Sequence, residues 1–173
     1  MTSAGIESKE KKDVIADSIL DWIDADKNQR LNGAENDFYQ NMIPPYLAKN
    51  APIENLDELS KIRGIGEKIL YGPNQRKGLI NFFTTYNVKS VNPNTASPEV
   101  LSIIFSESQA KSIMKERGKK GFYDNTTSDY FRIRSTGDVD GSPTNHTINT
   151  VVQKISEKEG PIILTHYWND NSF

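Results

Sequence analysis

The stretch that organises this sequence is the acidic segment at residues 21–35, DWIDADKNQRLNGAE. Before it, apolar residues recur every three or four positions from Val14 to Ile23, which predicts an amphipathic helix over about 10–23. After it, a second helix is predicted to begin near Ala34 and to stop at Pro44-Pro45. The acidic segment therefore forms a loop between two helices.

Oxygen-bearing side chains recur along this loop at a spacing that suits a hard cation. Counted from Asp24, they fall at positions 1, 3, 5 and 9, and a glutamate stands at position 12. Calcium takes about six to eight oxygen ligands, and such alternation directs successive carboxylates toward one centre. Arg30, at position 7, would contribute only its backbone carbonyl. The predicted Ca²⁺ ligands are Asp24, Asp26, Asn28, Arg30, Asn32, Glu35 and Asp37.

The loop departs from an EF-hand at its sixth position, where Gln29 replaces the usual glycine. Gly33 follows four residues later, and we expect a loop that folds differently while keeping some ligands, with Asp37 replacing or supplementing one of them. The alternative is a solvated acidic turn that joins two helices. Spacing alone does not separate these two interpretations.

Cap signals mark several further helices. Asn55 and Glu58 predict a helix that runs to Arg63, and a short helix is predicted over residues 67–71. Ser97 is followed by Pro98, the favoured first helical residue. The last predicted helix opens with a capping box at 106–109 and ends at Arg117-Gly118.

After Gly121 the sequence becomes rich in Val, Ile, Thr and aromatic residues. Three segments, 130–136, 146–155 and 161–168, alternate partly with period two, and turns are predicted at 138–143 and 157–160. We expect an antiparallel meander whose edge could pair with another subunit. The fold class is therefore α+β, a helical domain with helix-hairpin-helix-like units followed by a small antiparallel β-sheet.

Composition excludes several functional classes. The 173 residues include no cysteine, which removes thiolate nucleophiles, disulfides and Cys-ligated metals. The two histidines, His146 and His166, lie on predicted strands, and no phosphate-cradling loop is present. No apolar run approaches the roughly 18 residues of a membrane helix. We therefore expect no catalysis.

The order of motifs resembles a known family. Asp21-Trp-Ile-Asp-Ala-Asp26 is followed by Gly33-Ala-Glu35, Pro44-Pro-Tyr46 and Asn50, and then by Leu56-Asp-Glu-Leu59, Ile62-Arg-Gly-Ile65 and Asn92-Pro-Asn-Thr-Ala96. This order is similar to the general secretion pathway protein K family, the tip minor pseudopilin of bacterial type II secretion. The likeness covers about residues 14–117.

The resemblance implies a pseudopilin-type fold with an inserted helical domain that holds calcium in the acidic loop. It also implies a hetero-oligomeric tip complex with two other minor pseudopilins, at the periplasmic face of the bacterial inner membrane. Family members begin with a leader and a long hydrophobic helix, so we expect this chain to be a soluble fragment that lacks both. The expected domains are a disordered start or residual cloning sequence (1–9), a helical calcium-binding domain (10–122) and pseudopilin strands (123–173).

A nucleic-acid-binding protein is the alternative. Residues 59–68, LSKIRGIGEK, resemble the hairpin of a helix-hairpin-helix motif, in which backbone N–H groups meet a phosphate. Residues 61–122 also carry 11 Lys or Arg against 4 Asp or Glu. Against this, the second copy at 94–108 lacks the Gly-x-Gly turn, and the pI is about 5.7. We expect the hairpins to be packing units, with no nucleic acid bound.

Overall fold

A computed structural model describes residues 6, 8–73, 77–138, 140, 145–157 and 160–172. The chain divides into two compact units, Met1–Asn87 and Val88–Phe173. Most of the predicted N-terminal start, residues 1–5 and 7, lies outside the described residues, and the domain boundaries predicted above stay a prediction. The elements are α1 (Lys9–Ile23), α2 (Asn36–Tyr39), a 3₁₀ helix (Leu56–Lys61), α3 (Glu67–Leu70), a second 3₁₀ helix (Leu79–Asn81), α4 (Pro98–Ile104), α5 (Glu107–Lys120), β1 (Tyr130–Asp138), β2 (Asn145–Glu157) and β3 (Gly160–Ser172).

Helix α1 forms as its apolar spacing predicts. Ser8 caps its first turn by accepting a hydrogen bond from the Lys11 N–H, and the helix ends at Ile23. Its inner stripe packs on an aromatic centre, where the ring of Trp22 meets that of fully buried Tyr39 edge-on at 5.2 Å. Burial raises the pKa of Tyr39 to about 12. This packing fixes where the acidic loop starts.

The second helix is shorter than predicted. Helix α2 has only four residues, starts two residues after Ala34 and ends at Tyr39, well before the two prolines. Beyond it, the N–H groups of Asn41 and Met42 bond three residues back rather than four, which tightens the turn. The chain then doubles back, and the Tyr46 N–H donates to the Tyr39 carbonyl. Helix α2 therefore ends at Tyr39, before the chain reaches Pro44.

A predicted cap is confirmed at the first 3₁₀ helix. The side chain of Asn55 accepts from the Asp57 N–H, and Glu58 accepts from the Asn55 N–H at 3.1 Å. Lys49 Nζ lies 3.0 Å from both Glu58 carboxylate oxygens. Burial raises the pKa of Glu58, but the hydrogen bonds from Lys49 and from the Asn55 and Glu54 N–H groups outweigh it and hold the pKa below its ordinary value.

In the second unit, helices α4 and α5 pack around Leu101, Ala110 and Ile113. Their predicted caps, Ser97 with Pro98 and the box from Ser106 to Gln109, are both present. The predicted end of α5 is wrong, because the helix continues to Lys120 and Gly118 lies within it. Gly121 supplies the left-handed residue that ends the helix, with a φ of 81°.

The three strands form the predicted antiparallel meander, in the order β1-β2-β3. Tyr130 to Asp138 pair in unbroken register with Gln153 to Asn145. The second pairing shifts register between Val151 and Val152. Residues 139, 141–143, 158 and 159 of the predicted turns lie outside the described residues. Within the described part of the chain, no helix is long and apolar enough to cross a membrane.

We predict that Glu58→Gln lowers the unfolding free energy at pH 7 by about 1–2 kcal/mol, because it removes charge-assisted hydrogen bonds. The folded-state pKa of Glu58 is lowered, so its contribution is present above the unfolded-state pKa and is lost as pH falls through the folded-state pKa. The gap between wild type and variant should therefore narrow below pH 4.5, the ordinary value. Urea unfolding followed by circular dichroism at several pH values measures it.

Glu54→Gln is the matched control, because Glu54 pairs with the same lysine at 3.3 Å but is 84% exposed. Its effect should stay within about 0.5 kcal/mol at every pH. Equal losses in the two variants would contradict the assigned role of Glu58.

Candidate metal centre in the acidic loop

The loop is organised by a buried carboxylate, Asp21, whose side chain is 0% exposed. Arg30 donates to it twice, from the backbone N–H, 3.2 Å from Oδ2, and from Nη1, 2.7 Å from Oδ1. The same Nη1 also contacts Asp24 Oδ2. The hydrogen bonds that Arg30 donates to Asp21 and Asp24 raise the pKa of its guanidinium above the ordinary value. One side chain thus provides a positive charge to two carboxylates.

Two further carboxylates keep oxygens without partners. Among the described residues, nothing hydrogen-bonds to Glu35 Oε1, Glu35 Oε2 or Asp24 Oδ1, and all three atoms are buried. Glu35 lies at the N-cap of α2 but makes no side-chain cap bond there. Burial raises the pKa of the Glu35 carboxyl. The nearby Asn36 N–H partly opposes this effect, and the negative charges of Asp21, Asp24 and Asp26 add to it. Such oxygens are the ligand type that a hard cation would satisfy.

The remaining predicted ligands lie in different settings. Asp26 is exposed and accepts from the Asn28 N–H at 2.7 Å, which closes a local turn. Asn32 donates from its backbone N–H and from Nδ2 to Asp17, so its amide is tied to helix α1. Asp37 is exposed on α2, where its carbonyl accepts from Asn41. The structure therefore brings Asp24 and Arg30 into contact and buries Glu35, with Asp26 near enough to raise the pKa of Glu35.

Gly33 allows the loop to close over Asp21. A Cβ at this position would lie 2.0 Å from Asp21 Oδ2 and 3.2 Å from the Asp17 carbonyl oxygen. The Gly33 carbonyl is held by two donors, Gln29 Nε2 at 3.1 Å and Arg63 Nη1 at 2.8 Å. Only a residue without a side chain lets the backbone approach the buried carboxylate this closely.

Arg63 lies at the turn that resembles a helix-hairpin-helix motif. Besides its bond to Gly33, its guanidinium lies 5.0 Å from the centroid of the Phe38 ring. The helices on either side of the turn are six and four residues long. The hairpin therefore contributes this arginine to packing around the acidic loop.

Two features of the loop bear on cation binding in opposite directions, because it holds buried oxygens without partners but also has Arg30 among its carboxylates. Within the part of the chain that the structure describes, no three Asp, Glu, His or Cys side chains are grouped in a way that could hold a metal. The Arg30 side chain is 38% exposed and contacts both Asp21 and Asp24, so an ion at Asp24 would compete with it. The unpartnered oxygens of Asp24 and Glu35 are the features that fit a bound ion, and the predicted ligand set stays a prediction.

Sequence reasoning missed the central residue of this site. Asp21 was not among the predicted ligands, yet its carboxylate receives the hydrogen bonds that shape the loop. The available signal was its position three residues after Ser18 and next to Trp22, on the buried stripe of α1. A carboxylate on an apolar stripe needs a polar partner, and the following loop was the nearest source.

The sequence of this chain is similar to the sequences of known proteins. The family described as "Type II secretion system (T2SS), protein K" matches residues 1–71, which include the whole acidic loop. The chain belongs to this family. Its relatives include the putative type II secretion system protein K of Escherichia coli (strain K12), 41% identical over 69 residues, and type II secretion system protein K of Pectobacterium carotovorum subsp. carotovorum, 30% identical over 125 residues. The resemblance predicted from motif order is confirmed.

Each of these two alignments covers only part of the relative's own length. The alignment with the Escherichia coli relative spans 40% of this chain and 21% of that protein. The alignment with the Pectobacterium relative spans 67% of this chain and 36% of that protein. A chain from the solved GspK-GspI-GspJ complex of enterotoxigenic Escherichia coli has the same fold, with a TM-score of 0.60 and 18% identity. That match covers 96% of this chain and 66% of the other. The predicted pseudopilin-type α+β fold is confirmed.

We predict that Gly33→Ala destabilises the protein by about 1–3 kcal/mol, because the added methyl group must displace the buried Asp21 carboxylate that Arg30 holds. Thermal unfolding in metal-free buffer measures the effect. The control is Gly66→Ala, since nothing lies within 4 Å of a Cβ built there. The control should destabilise the protein less than Gly33→Ala does, because it only exchanges glycine for alanine at the N-cap of α3. Similar melting temperatures for the two variants would contradict the close approach at Gly33.

Proposed function

We propose that this chain is part of a minor pseudopilin that assembles with two other minor pseudopilins at the tip of the type II secretion pseudopilus. The observation that carries the proposal is the likeness in fold, over 96% of the chain, to a chain from a complex of GspK, GspI and GspJ. Membership of the protein K family supports the same role. The role is structural rather than enzymatic, and it is carried out on the periplasmic side of the bacterial inner membrane.

The second part of the proposal is that the acidic loop binds calcium. The support is chemical, since Glu35 keeps two buried oxygens and Asp24 keeps one without a hydrogen-bond partner. Leaving an ionised carboxylate buried and unpaired is unfavourable, and a divalent cation relieves that penalty. Asp24, Asp26, Glu35 and the Arg30 carbonyl would be ligands, together with Asn28, Asn32 and Asp37 where the loop adjusts to reach the ion.

Calcium would tie α1, the loop and α2 into one arrangement. An ion that binds only the folded state adds RT ln(1 + [L]/Kd), about 2.7 kcal/mol at a hundredfold excess over Kd. The Arg30 guanidinium provides an internal positive charge for Asp21 and Asp24. The Glu35 carboxylate lacks such a partner among the described residues, so it should depend most on the ion.

We predict opposite effects of Glu35→Gln with and without calcium. In excess EGTA the variant should melt at a higher temperature than wild type, because a buried unpaired carboxyl group has been replaced by a neutral amide. In millimolar calcium, wild type should shift upward and the variant should not. Differential scanning calorimetry of both proteins in both buffers measures the four melting temperatures.

Glu10→Gln serves as the matched control, because Glu10 is an exposed carboxylate in the first turn of α1. It should reproduce the wild-type calcium shift. A wild-type melting temperature that calcium leaves unchanged would refute the metal site. A full calcium shift in Glu35→Gln would refute Glu35 as a ligand.

We also predict that the chain forms a ternary complex with the counterparts of GspI and GspJ from its own secretion system. Size-exclusion chromatography with light scattering should give one peak with the mass of a 1:1:1 complex. Double-stranded DNA of mixed sequence is the control partner, and it should not co-elute at physiological salt. Absence of the ternary peak would refute the assembly role, and co-elution with DNA would favour the nucleic-acid alternative.

A further inference from the structure

Arg30 binds two carboxylates at the end of helix α1. Its Nη1 atom lies 2.7 Å from Asp21 Oδ1 and also contacts Asp24 Oδ2. Its backbone N–H donates to Asp21 Oδ2 at 3.2 Å, and its carbonyl accepts from the Gly33 N–H at 3.1 Å. The main chain of Arg30 is therefore fixed by Asp21 and Gly33, whereas its contact with Asp24 is made by the side chain alone.

Asp24 is only partly satisfied by this contact. Its Oδ2 atom is held by Arg30, but its Oδ1 atom is buried and has no hydrogen-bond partner among the described residues. Glu35 is 4% exposed, and within the same part of the chain both of its carboxylate oxygens are buried without partners. The guanidinium thus satisfies one oxygen of Asp24 and leaves three buried oxygens of the loop to another partner.

An ion at Asp24 and the guanidinium of Arg30 would weaken each other's binding. Calcium bound to Oδ1 would share a single carboxylate group with the cation that holds Oδ2. Two positive charges on one carboxylate repel each other, and in partly buried surroundings solvent and salt screen that repulsion poorly. With Arg30 in place, the described residues contain no group of three Asp, Glu, His or Cys side chains that could hold a metal.

Asp21 keeps Arg30 attached when its side chain moves. Asp21 is fully buried and accepts from Arg30 through both the backbone N–H and Nη1. The backbone bond does not involve the guanidinium, so it remains when the contact with Asp24 is lost. The arginine is therefore held next to the carboxylate that it would release, and it can return when the ion leaves.

We propose that the Arg30 side chain is a built-in competitor of calcium, which holds Asp24 while the ion is absent and releases it when the ion binds. The guanidinium keeps the loop ordered without calcium. It also lowers the apparent affinity for the ion, by the fraction of molecules in which Asp24 is held. This inference rests on the proposed calcium site and adds its regulation, because the site fills only where calcium is abundant enough to displace the arginine.

The test compares wild type with Arg30→Gln, which keeps the backbone carbonyl of residue 30 as a ligand. In titration calorimetry with calcium chloride on metal-free protein, the variant should bind at least about fivefold more tightly, because the competing charge is gone. In excess EGTA it should melt at a lower temperature than wild type, since Asp21 and Asp24 lose a charged partner. A residue that only supported the loop would lower both the affinity and the stability.

A second variant guards against misfolding, because Arg30→Gln removes the guanidinium from a buried carboxylate. Asp21→Asn, Arg30→Gln replaces the buried ion pair with two neutral amides, a change that proteins commonly tolerate. It leaves the net charge unchanged, so tighter calcium binding by this variant reports the release of Asp24. The matched control is Lys27→Gln, which removes a positive charge from an exposed position of the same loop. The control should bind calcium within about twofold of wild type, since exposed charges are well screened.

The outcomes separate the competition from the calcium site itself. If wild type binds calcium and neither Arg30 variant binds more tightly, the competition is overturned while the calcium site stands. Equal gains in Arg30→Gln and Lys27→Gln also overturn it, because the effect is then one of general charge. If neither wild type nor any variant binds, the calcium site fails and the competition fails with it. Binding by Arg30→Gln but not by wild type supports the competition, with Arg30 replacing the ion in this chain.

Discussion

The architecture of the first unit depends on one buried carboxylate. Asp21 sits on the inner stripe of α1, where a charge without partners would be strongly unfavourable. The loop folds back, so that the backbone N–H and the guanidinium of Arg30 both donate hydrogen bonds to this carboxylate. Folding back in turn requires Gly33, because any side chain there would collide with Asp21. The path of the whole loop follows from this one requirement.

The acidic loop region also contains more carboxylate groups than Arg30 contacts. Arg30 contacts Asp21 and Asp24. Glu35 is buried, and the negative charges of those two carboxylates help to raise its pKa. The site is therefore neither a plain solvated turn nor a complete ion-pair network. Its surplus of oxygen ligands is the physical basis of the calcium proposal, and Arg30 is the group with which an ion would compete.

Local signals predicted local structure well. Ser97, Ser106 and Asn55 cap the helices that their spacing indicated, and the alternating segments after Gly121 form the expected meander. The sequence predictions were wrong where contacts between residues that are distant in the sequence determine the structure. Helix α2 ends early because the chain returns to Tyr39, and Asp21 was overlooked because its partner lies nine residues away. The family was accessible from motif order, but the register shift between Val151 and Val152 became visible only in the structure.

The division of the chain at Asn87 and Val88 has an evolutionary consequence. Among the described residues, the side chains that hydrogen-bond to the acidic loop range from Asp17 to Arg63 and lie in the first of these units. A substitution in the second unit therefore removes none of these hydrogen bonds. The second unit can thus vary in evolution without altering the hydrogen bonds that hold the loop.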